Sequence, residues 1–527
     1  MTDYLIIGGG SAGCVLAARL SEDPATQVTL LEAGPVDKSV LIHCPAGLAV
    51  MAQSGQANWA FNTVPQPGLG GRVGYQPCGK VLGGSSSINA MVYARGHRHD
   101  YDHWAALGNA GWSYDEVLPY FKRAEHNERG ADEFHGIGGP LNVMDPVSPN
   151  RFGPVFVEAA KQAGFPVNRD FNAAEQEGVG LYQVTHKHGE RFSAAKAYLT
   201  PNLARPNLRV ITGAHTTRIL LEGRRAVGVE YRLDGSLHRI NARREVLLCA
   251  GALQSPQILM LSGIGPAAQL MRHGVPVVHD LAGVGAQLCD HIDTVQVYDA
   301  PHLKDLFGLS PAGAWRALKG MFEWRNHRRG MLTTNFAEAG GFIKSLPEEP
   351  LPDLQLHFVI GKLMDHGRRA TLGHGFSCHV CLLRPLSRGS VTLASADPMA
   401  PPLIDPGFLA EADDMARMVR GFKLMRNLLN QPALAQYGAK ELPRSGNARS
   451  DADIESFIRR QADTIYHPVG TCRMGGSADD VVDAALRVHG IERLRVVDAS
   501  IMPRIVGGNT NAPVIMIAEK AADMIRG

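Results

Sequence analysis

Three glycines near the start of the chain have the spacing of a phosphate-binding turn. Gly8, Gly10 and Gly13 form a G-x-G-x-x-G pattern. In such a pattern the first glycine permits a tight turn, the second a close approach of a pyrophosphate, and the third close packing of a helix on a strand. Glu32 follows at the end of the next apolar run and can accept hydrogen bonds from an adenosine ribose. The pattern predicts dinucleotide binding, and the acid disfavours NADP, so FAD and NAD remain.

The segments around these glycines have the character of the elements that must position them. Residues 4–7 and 28–31 are short apolar runs, which predict strands buried on both faces. Between them, after Ser11, Ala12 and Gly13, residues 14–20 have helical character. A helix that begins at the glycine turn presents its free N–H groups and the positive end of its dipole to a phosphate. The first 32 residues therefore predict a complete βαβ unit.

Composition and charge limit the class of protein. The chain has 527 residues, of which 45% are apolar and 20% charged, which indicates a globular protein. The formal charge of +2 provides no broad basic field, so we expect no nucleic-acid partner. The 58 glycines are more than an average composition contains, which indicates tight turns or backbone close to a ligand.

The eight scattered cysteines form no disulfide framework, and we expect reduced thiols. Cys378 and Cys381 have C-x-x-C spacing but lie in a strand-like run, where residues three apart point to opposite faces. We therefore expect no metal site. The chain shows neither a signal peptide nor an apolar run of about 20 residues, so the expected location is the cytoplasm.

Three further segments distinguish FAD from NAD. They are the run from Gly79 to Asn89, the run from Gly251 to Gly265, and the pair of motifs at 467–475 and 508–511. In type and order they resemble the signatures of the glucose–methanol–choline (GMC) flavoprotein oxidoreductases, and the resemblance covers essentially the whole chain. It implies FAD as the cofactor. It also implies an α/β fold (α+β overall), with a Rossmann-like FAD-binding domain and a substrate domain built on an antiparallel sheet covered by helices.

The resemblance implies a set of residues that contact FAD, with Thr216 acting through its backbone. These residues are Gly8, Gly10, Ser11, Ala12, Gly13, Glu32, Ala33, Val81, Gly83, Gly84, Ser85, Asn89, Ala90, Met91, Val92, Thr216, Gly251, Asp498, Ala499, Asn509 and Thr510. Some relatives attach FAD covalently through a histidine in the first signature, and this sequence has Ile88 at that position. We therefore predict non-covalent FAD.

Alcohol oxidation needs a base, and histidine suits the task because its pKa of roughly 6.5 lies near working pH. The chain has 21 histidines, so composition selects none of them. The resemblance assigns His467 as the base that takes the hydroxyl proton. It assigns Asn511 as the group that hydrogen-bonds the same oxygen while the hydride passes to flavin N5. Asn511 precedes an apolar helix and could also be its N-cap.

The resemblance also implies interleaved domains. Residues 1–150, 196–299 and 461–527 would form a discontinuous FAD-binding domain, and residues 151–195 and 300–460 the substrate-binding domain. Within the second range, Trp315, Leu318, Met321 and Phe322 lie near helical spacing beside several basic residues. Two interpretations remain open for this segment: a helix packed on the domain, or a peripheral contact with the anionic inner membrane.

The motifs are most similar to bacterial medium-chain aliphatic alcohol dehydrogenases and to choline dehydrogenase-like members of the family. This implies FAD-dependent oxidation of primary, aliphatic alcohols to aldehydes, with electrons passed to a quinone or another non-oxygen acceptor. The alternatives are an alcohol oxidase that makes hydrogen peroxide, a choline dehydrogenase, and a flavin-containing lyase. For choline, Glu338 could supply the carboxylate that a cationic substrate favours.

Overall fold

Two large β-sheets organise the chain, and the computed structural model describes residues 2–369 and 371–527. The helices of nine or more residues in the described part are Ser11–Leu20, Arg98–Ala106, Tyr114–Ala124, Phe152–Gln162, Gly251–Leu261, Pro311–His327, Ala412–Leu429, Asp451–Gln461 and Asn511–Arg526. Shorter helices are Val40–His43, Leu48–Ser54, Ala267–Arg272, Pro432–Ala435 and Pro443–Gly446.

The first sheet contains the predicted βαβ unit. Its strands lie in the order Leu208–Thr212, Val28–Glu32, Thr2–Ile7, Ser236–Leu248, Arg225–Leu233 and His215–Glu222, and Leu494–Val496 also pairs with Ser236–Leu248. Leu208–Thr212, Val28–Glu32, Thr2–Ile7, Ser236–Leu248 and Leu494–Val496 pair in parallel. Arg225–Leu233 and His215–Glu222 extend the sheet as an antiparallel meander from Ser236–Leu248. Every residue of Thr2–Ile7 is buried, as expected for a central parallel strand covered on both faces.

The second sheet is antiparallel. Its strands lie in the order Lys440–Glu441, Ile292–Asp299, Gly373–Leu382, Leu354–Val359, Ala339–Ile343 and Gly178–Leu181, with Gly308–Leu309 and Asp463–Thr464 paired at its sides. Residues of the helices Phe152–Gln162, Ala412–Leu429 and Asp451–Gln461 pack with it in one apolar cluster. A Rossmann-like sheet and a helix-covered antiparallel sheet confirm the predicted fold class.

The domain ranges themselves stay a prediction. The strand Ile292–Asp299, which the prediction placed in the cofactor part, pairs within the antiparallel sheet. Met1 and Ala370 fall in the predicted ranges but lie outside the described residues. Small two-stranded pairs complete the chain: Phe61–Asn62 with Tyr75–Gln76, Glu125–Asn127 with Leu141–Val143, His186–Lys187 with Glu190–Arg191, Ile264–Gly265 with His279–Asp280, and Ser390–Thr392 with Leu403–Asp405.

Candidate active site

One cavity of about 1500 Å³ is lined by residues of both sheets. This exceeds the roughly 300–1,000 Å³ of an ordinary small-molecule site, so it has room for a large cofactor together with a substrate. It lies at the carboxyl ends of the parallel strands, where open α/β sheets bind their ligands. Most of the predicted site residues line it: Gly8, Gly10, Ser11, Ala12, Glu32, Ala33, Gly84, Ser85, Asn89, Ala90, Met91, Val92, Thr216, Gly251, His467, Asp498, Ala499, Asn509, Thr510 and Asn511.

Gly8, Gly10 and Gly13 of the G-x-G-x-x-G turn serve three different geometric needs. Gly8 has a φ of +100°, and a Cβ there would lie 2.5 Å from the carbonyl oxygen of Cys249. A Cβ on Gly13 would lie 1.9 Å from the carbonyl oxygen of Gly8, so Gly13 lets the helix pack on the turn. A Cβ on Gly10 would meet no protein atom within 4 Å. Gly10 therefore keeps space open on the cavity side, as close approach of a phosphate requires.

Glu32 lies at the end of its strand with both carboxylate oxygens on main-chain donors. Oε2 accepts from the N–H of Gly9 at 2.8 Å, and Oε1 accepts from the N–H of Gly34 at 2.7 Å. Burial raises the pKa of the carboxyl to about 7, although these two N–H groups favour its ionised form. Two donors leave further lone pairs on the carboxylate, which is the arrangement that a ribose diol could complete.

The loop that contains Gly83 and Gly84 packs directly on the glycine turn at residues 8–13. The N–H of Gly83 donates to the carbonyl oxygen of Gly9 at 2.7 Å, and a Cβ on Gly84 would lie 2.7 Å from Cα of Gly10. Gly13, Gly83 and Val81 are not among the lining residues. The Val81 side chain packs in an apolar cluster with Ile42 and Met51, so a contact of Val81 with FAD would be made by its main chain, and this contact stays a prediction.

The carboxylate of Asp498 holds the main chain at the start of the helix Gly251–Leu261. Oδ2 accepts from the N–H of Gly251 at 2.9 Å and from Oγ of Ser255, and Oδ1 accepts from the N–H and the hydroxyl of Ser500. Burial raises the pKa of this carboxyl. A Cβ on Gly251 would meet no protein atom within 4 Å, so the start of its helix is open to the cavity. Asp498 is thus a positioning residue for this backbone.

These observations fit FAD. Gly10 and Ala250, at the starts of the helices Ser11–Leu20 and Gly251–Leu261, make no side-chain cap, and neither helix has an acid in its first turn. Both starts line the cavity, but the N–H of Gly251 already donates to Asp498, so the first-turn N–H groups and the dipole of Ser11–Leu20 form the better site for a pyrophosphate. Ile88 also lines the cavity, and its alkyl side chain offers no nucleophile for a covalent link.

His467 lies at the opposite end of the cavity, buried between side chains of the second sheet. Its Nδ1 is 3.0 Å from Nδ1 of His291, and its Nε2 is 3.3 Å from Nδ2 of Asn509. Nε2 of His291 is 3.0 Å from the carbonyl oxygen of Leu383. A carbonyl oxygen can only accept, so Nε2 of His291 carries the proton.

This chain of contacts fixes the tautomer of His467. Burial lowers the pKa of His291 to about 4, so its ring is neutral and its Nδ1 is an acceptor. Nδ1 of His467 must then be the donor, which leaves the lone pair on Nε2. Burial, reinforced by His291 and His357, holds the pKa of His467 well below its usual range. His467 is therefore a neutral base with a defined accepting atom.

The main chain around His467 is held by Asp290. Its Oδ1 accepts from the N–H of His467 at 2.8 Å, and its Oδ2 accepts from the hydroxyl of Thr464. The hydroxyl of Thr464 in turn accepts from the N–H of Tyr466 at 2.7 Å. Tyr466 has a φ of +74°, an unusual conformation for an aromatic residue. These bonds hold a strained turn immediately before the base.

The two predicted asparagines are oriented by different neighbours. Oδ1 of Asn511 accepts from the hydroxyl of Ser11 at 2.7 Å, so its Nδ2 is the group that can donate into the cavity. The helix begins at Asn511 with Thr510 as its N-cap residue, so Asn511 is not the cap. Oδ1 of Asn509 accepts from Gln355 at 3.1 Å, which turns Nδ2 of Asn509 toward the lone pair of His467.

Four further residues of the site were not predicted from the sequence: Asp290, His291, His357 and His379. His357 and His379 are cross-strand partners that line the cavity, and Nδ1 of His357 has no hydrogen-bond partner within the described residues. The available signal was a polar residue inside an apolar strand, which buried strands contain only for a reason. No sequence signal connects Asp290 or His291 with His467, because the contact depends on the fold.

Family models describe both halves of the chain. A GMC oxidoreductase model matches residues 2–293, and a second GMC oxidoreductase model matches residues 385–518. The chain belongs to the GMC oxidoreductase family. The predictions of this family, of an enzyme and of FAD as its cofactor are thereby confirmed.

Several relatives match this GMC oxidoreductase over its whole length. It is 48% identical to an alcohol dehydrogenase [acceptor] of Pseudomonas putida, covering 100% of this chain and 96% of the relative. It is 45% identical to the mitochondrial choline dehydrogenase of Mus musculus, covering 99% of this chain and 89% of the relative. The crystal structure of pyridoxine 4-oxidase from Mesorbium loti is similar, with a TM-score of 0.89, 33% identity and 99% coverage of both chains.

Across 2–369 and 371–527, no group of three or more His, Cys, Asp or Glu residues is arranged to hold a metal ion. Cys378 and Cys381 are free thiols of the strand Gly373–Leu382 and belong to different apolar clusters, as side chains on opposite faces do. Over the same residues, no helix has the length and apolar character needed to cross a membrane.

Proposed function

We propose that this enzyme oxidises primary aliphatic alcohols to aldehydes and passes the electrons to a quinone or another non-oxygen acceptor. The observation that carries the proposal is the neutral His467, which lines the cavity. Because Nδ1 of His467 donates to His291, its Nε2 is the atom that can accept a proton. When bound, FAD supplies the acceptor for the two electrons and the hydrogen of the carbinol carbon. The chain supplies the base and the groups that orient the alcohol oxygen.

In the proposed reaction the alcohol hydroxyl displaces Nδ2 of Asn509 from Nε2 of His467, which then accepts the hydroxyl proton. Nδ2 of Asn511, with its Oδ1 held by Ser11, donates to the same oxygen. Two fixed polar groups on one oxygen aim the carbinol C–H in a single direction, which lowers the entropic part of the barrier. The low dielectric around the buried His467 strengthens both hydrogen bonds.

The lining of the cavity favours a neutral, apolar substrate. Among the described residues, the carboxylates that line it are Glu32, Asp305 and Asp498. Glu32 and Asp498 bind main-chain N–H groups of the cofactor loops, and Asp305 pairs with Arg151 and Arg316 near the surface. Glu338 is not among the lining residues, and its carboxylate accepts from Ser148. Apolar side chains also line the cavity, among them Leu48, Met51, Leu332, Phe336, Val359 and Leu363.

Choline oxidation is the second candidate. Trp324, Phe336 and Tyr466 line the cavity, and aromatic faces can bind a quaternary ammonium group. The choline dehydrogenase of Mus musculus is nearly as similar to this chain as the alcohol dehydrogenase [acceptor] of Pseudomonas putida. We rank choline behind aliphatic alcohols because the carboxylates of the described lining, Glu32, Asp305 and Asp498, are already engaged with other groups.

Anaerobic mixing of the holoenzyme with 1-alkanols, choline and aromatic alcohols tests the proposal. We expect 1-alkanols to bleach the flavin fastest, and a water-soluble quinone to reoxidise it faster than air. Faster bleaching by choline would replace the substrate, and faster reoxidation by air would identify an oxidase. An unchanged flavin spectrum with every alcohol would favour a lyase. A quinone acceptor is lipid-soluble, so the proposal includes a peripheral contact of a cytoplasmic protein with the inner membrane.

A further inference from the structure

The helix Pro311–His327 is attached to the body of the protein along one face. Trp324 is buried, and its indole N–H donates to the carbonyl oxygen of Gly189 at 2.7 Å. Gly320 is also buried, close to the side chain of Leu332. The guanidinium of Arg328 lies over the Trp324 ring at 4.3 Å and pairs with Glu190. This face fixes the helix, and the opposite face points away from the protein.

An apolar stripe covers the outer face. Trp315, Leu318 and Phe322 are 69%, 57% and 70% exposed, and their i, i+3, i+7 spacing places them on one side of the helix. No other tryptophan or phenylalanine of the described residues is as exposed. Single exposed apolar side chains are ordinary, whereas a contiguous stripe with two aromatic rings indicates an interaction surface.

The charges beside the stripe are mostly basic. Five of the six charged side chains in residues 311–330 are Lys or Arg, in a chain whose formal charge is only +2. Lys319 and Arg325 are exposed and lie on either side of the stripe. An exposed apolar stripe with Trp and Phe, bordered by basic residues, has the composition of a helix that lies in an anionic lipid interface.

The same surface surrounds the entrance of the active-site cavity. Leu309, Met321 and Leu372 line the cavity and are also 52%, 52% and 81% exposed. Val40 and Val50 are likewise both lining and exposed. Arg325 and Arg369 add basic groups to this rim, whereas Arg316 pairs there with Asp305. The apolar helix and the cavity entrance therefore belong to one surface, which we call the entrance surface.

We infer that the entrance surface docks on an anionic phospholipid bilayer, with Trp315, Leu318 and Phe322 inserted among the lipid headgroups and acyl chains. Docking in this orientation opens the cavity toward the membrane, so an apolar alcohol or a quinone could enter directly from the lipid. The delivery of these molecules rests on the proposed function, whereas the docking depends only on the surface itself.

Vesicle binding of the FAD-loaded protein tests the docking without any alcohol or acceptor. The probes are vesicles of phosphatidylcholine alone and vesicles of phosphatidylcholine with phosphatidylglycerol. We expect cosedimentation with the anionic vesicles, weakened by high salt because the basic residues are screened. The triple variant Trp315→Ser, Leu318→Ser and Phe322→Ser should bind roughly tenfold more weakly. The matched control Leu107→Ser, Leu203→Ser and Leu237→Ser removes three exposed leucines elsewhere and should bind like the wild type.

Three results would overturn the inference. The first is no binding to anionic vesicles, and the second is equal binding by both triple variants. The third is a wild-type dimer that the stripe substitutions dissociate, because a second copy would then cover the surface. The three stripe side chains do not line the cavity, so 1-alkanol oxidation with a soluble dye should continue in the stripe variant. If the wild-type protein binds anionic vesicles but oxidises no alcohol, the proposed function is rejected and the docking is not.

Discussion

The two ends of the active-site cavity are built from different chemical groups. At the cofactor end, glycines leave space and main-chain N–H groups face the cavity, with Glu32 and Asp498 holding the loops. At the alcohol end, side chains would accept the proton and orient the alcohol oxygen. Each of them is oriented by another side chain, as His467 is by His291. The difference indicates that changes at the first end should alter FAD affinity, and changes at the second end the rate constant of alcohol oxidation.

The largest effect is expected from the base itself. His467→Ala removes the group that accepts the hydroxyl proton, and general base catalysis contributes about 10²–10⁴-fold to rate. We expect kcat/KM to fall within that range while FAD stays bound, as measured by anaerobic flavin bleaching with a 1-alkanol. His215→Ala is the control, because His215 lines the cavity beside Thr216 at the cofactor end. Bleaching of the His467→Ala protein at the wild-type rate would remove the distinction between the two ends.

A smaller effect is expected from the residue that orients the base. His291→Phe removes the acceptor for Nδ1–H of His467, and loss of such an orienting partner costs roughly 10–100-fold in activity. His291→Asn can restore an acceptor at this position through its amide oxygen, so we expect it to recover part of kcat and the wild-type pH profile. Equal activity and equal pH profiles for the two variants would show that His291 only fills space.

The contrast between Gly10 and Gly13 sharpens the description of the cofactor end. Gly13→Ala places a methyl group 1.9 Å from the carbonyl oxygen of Gly8 and should destabilise even the apoprotein, by about 1–3 kcal/mol. Gly10→Ala meets no protein atom, so we expect the Tm of the apoprotein to be unchanged and FAD to bind about tenfold more weakly, or ~1.4 kcal/mol. Apoprotein Tm and the Kd for FAD measure the two effects. A lower apoprotein Tm for Gly10→Ala would contradict this assignment.

The same contrast explains how far the sequence could be interpreted. The βαβ unit at residues 2–32 was predictable because its turn, helix and acid are adjacent in the chain. Asp290 and His291 were not, because their partner His467 is brought to them by pairing of Ile292–Asp299 with Asp463–Thr464. The packing of the Val81 side chain with Ile42 and Met51 was not predictable either, because a motif gives positions but not the direction of a side chain.

The exposed stripe of Pro311–His327 shows the same limit. Helical spacing predicted that Trp315, Leu318 and Phe322 share a face, but the spacing fitted both a packed helix and a surface helix. The structure distinguishes the faces, because Gly320 and Trp324 take the packed side and the three other side chains stay exposed. The packed face agrees with the first interpretation, whereas contact of the exposed face with a membrane stays a prediction.

The most direct test of the account is the pH dependence of flavin bleaching by a saturating 1-alkanol in the FAD-saturated wild type. The base is active when neutral, and burial holds the pKa of His467 well below its usual range. We therefore predict a rate constant that is constant above about pH 6.5, the ordinary value for histidine. It should fall only as the pH drops further below that value. An acidic limb with an apparent pKa of 7 or more would contradict the assignment of a neutral, His291-oriented base.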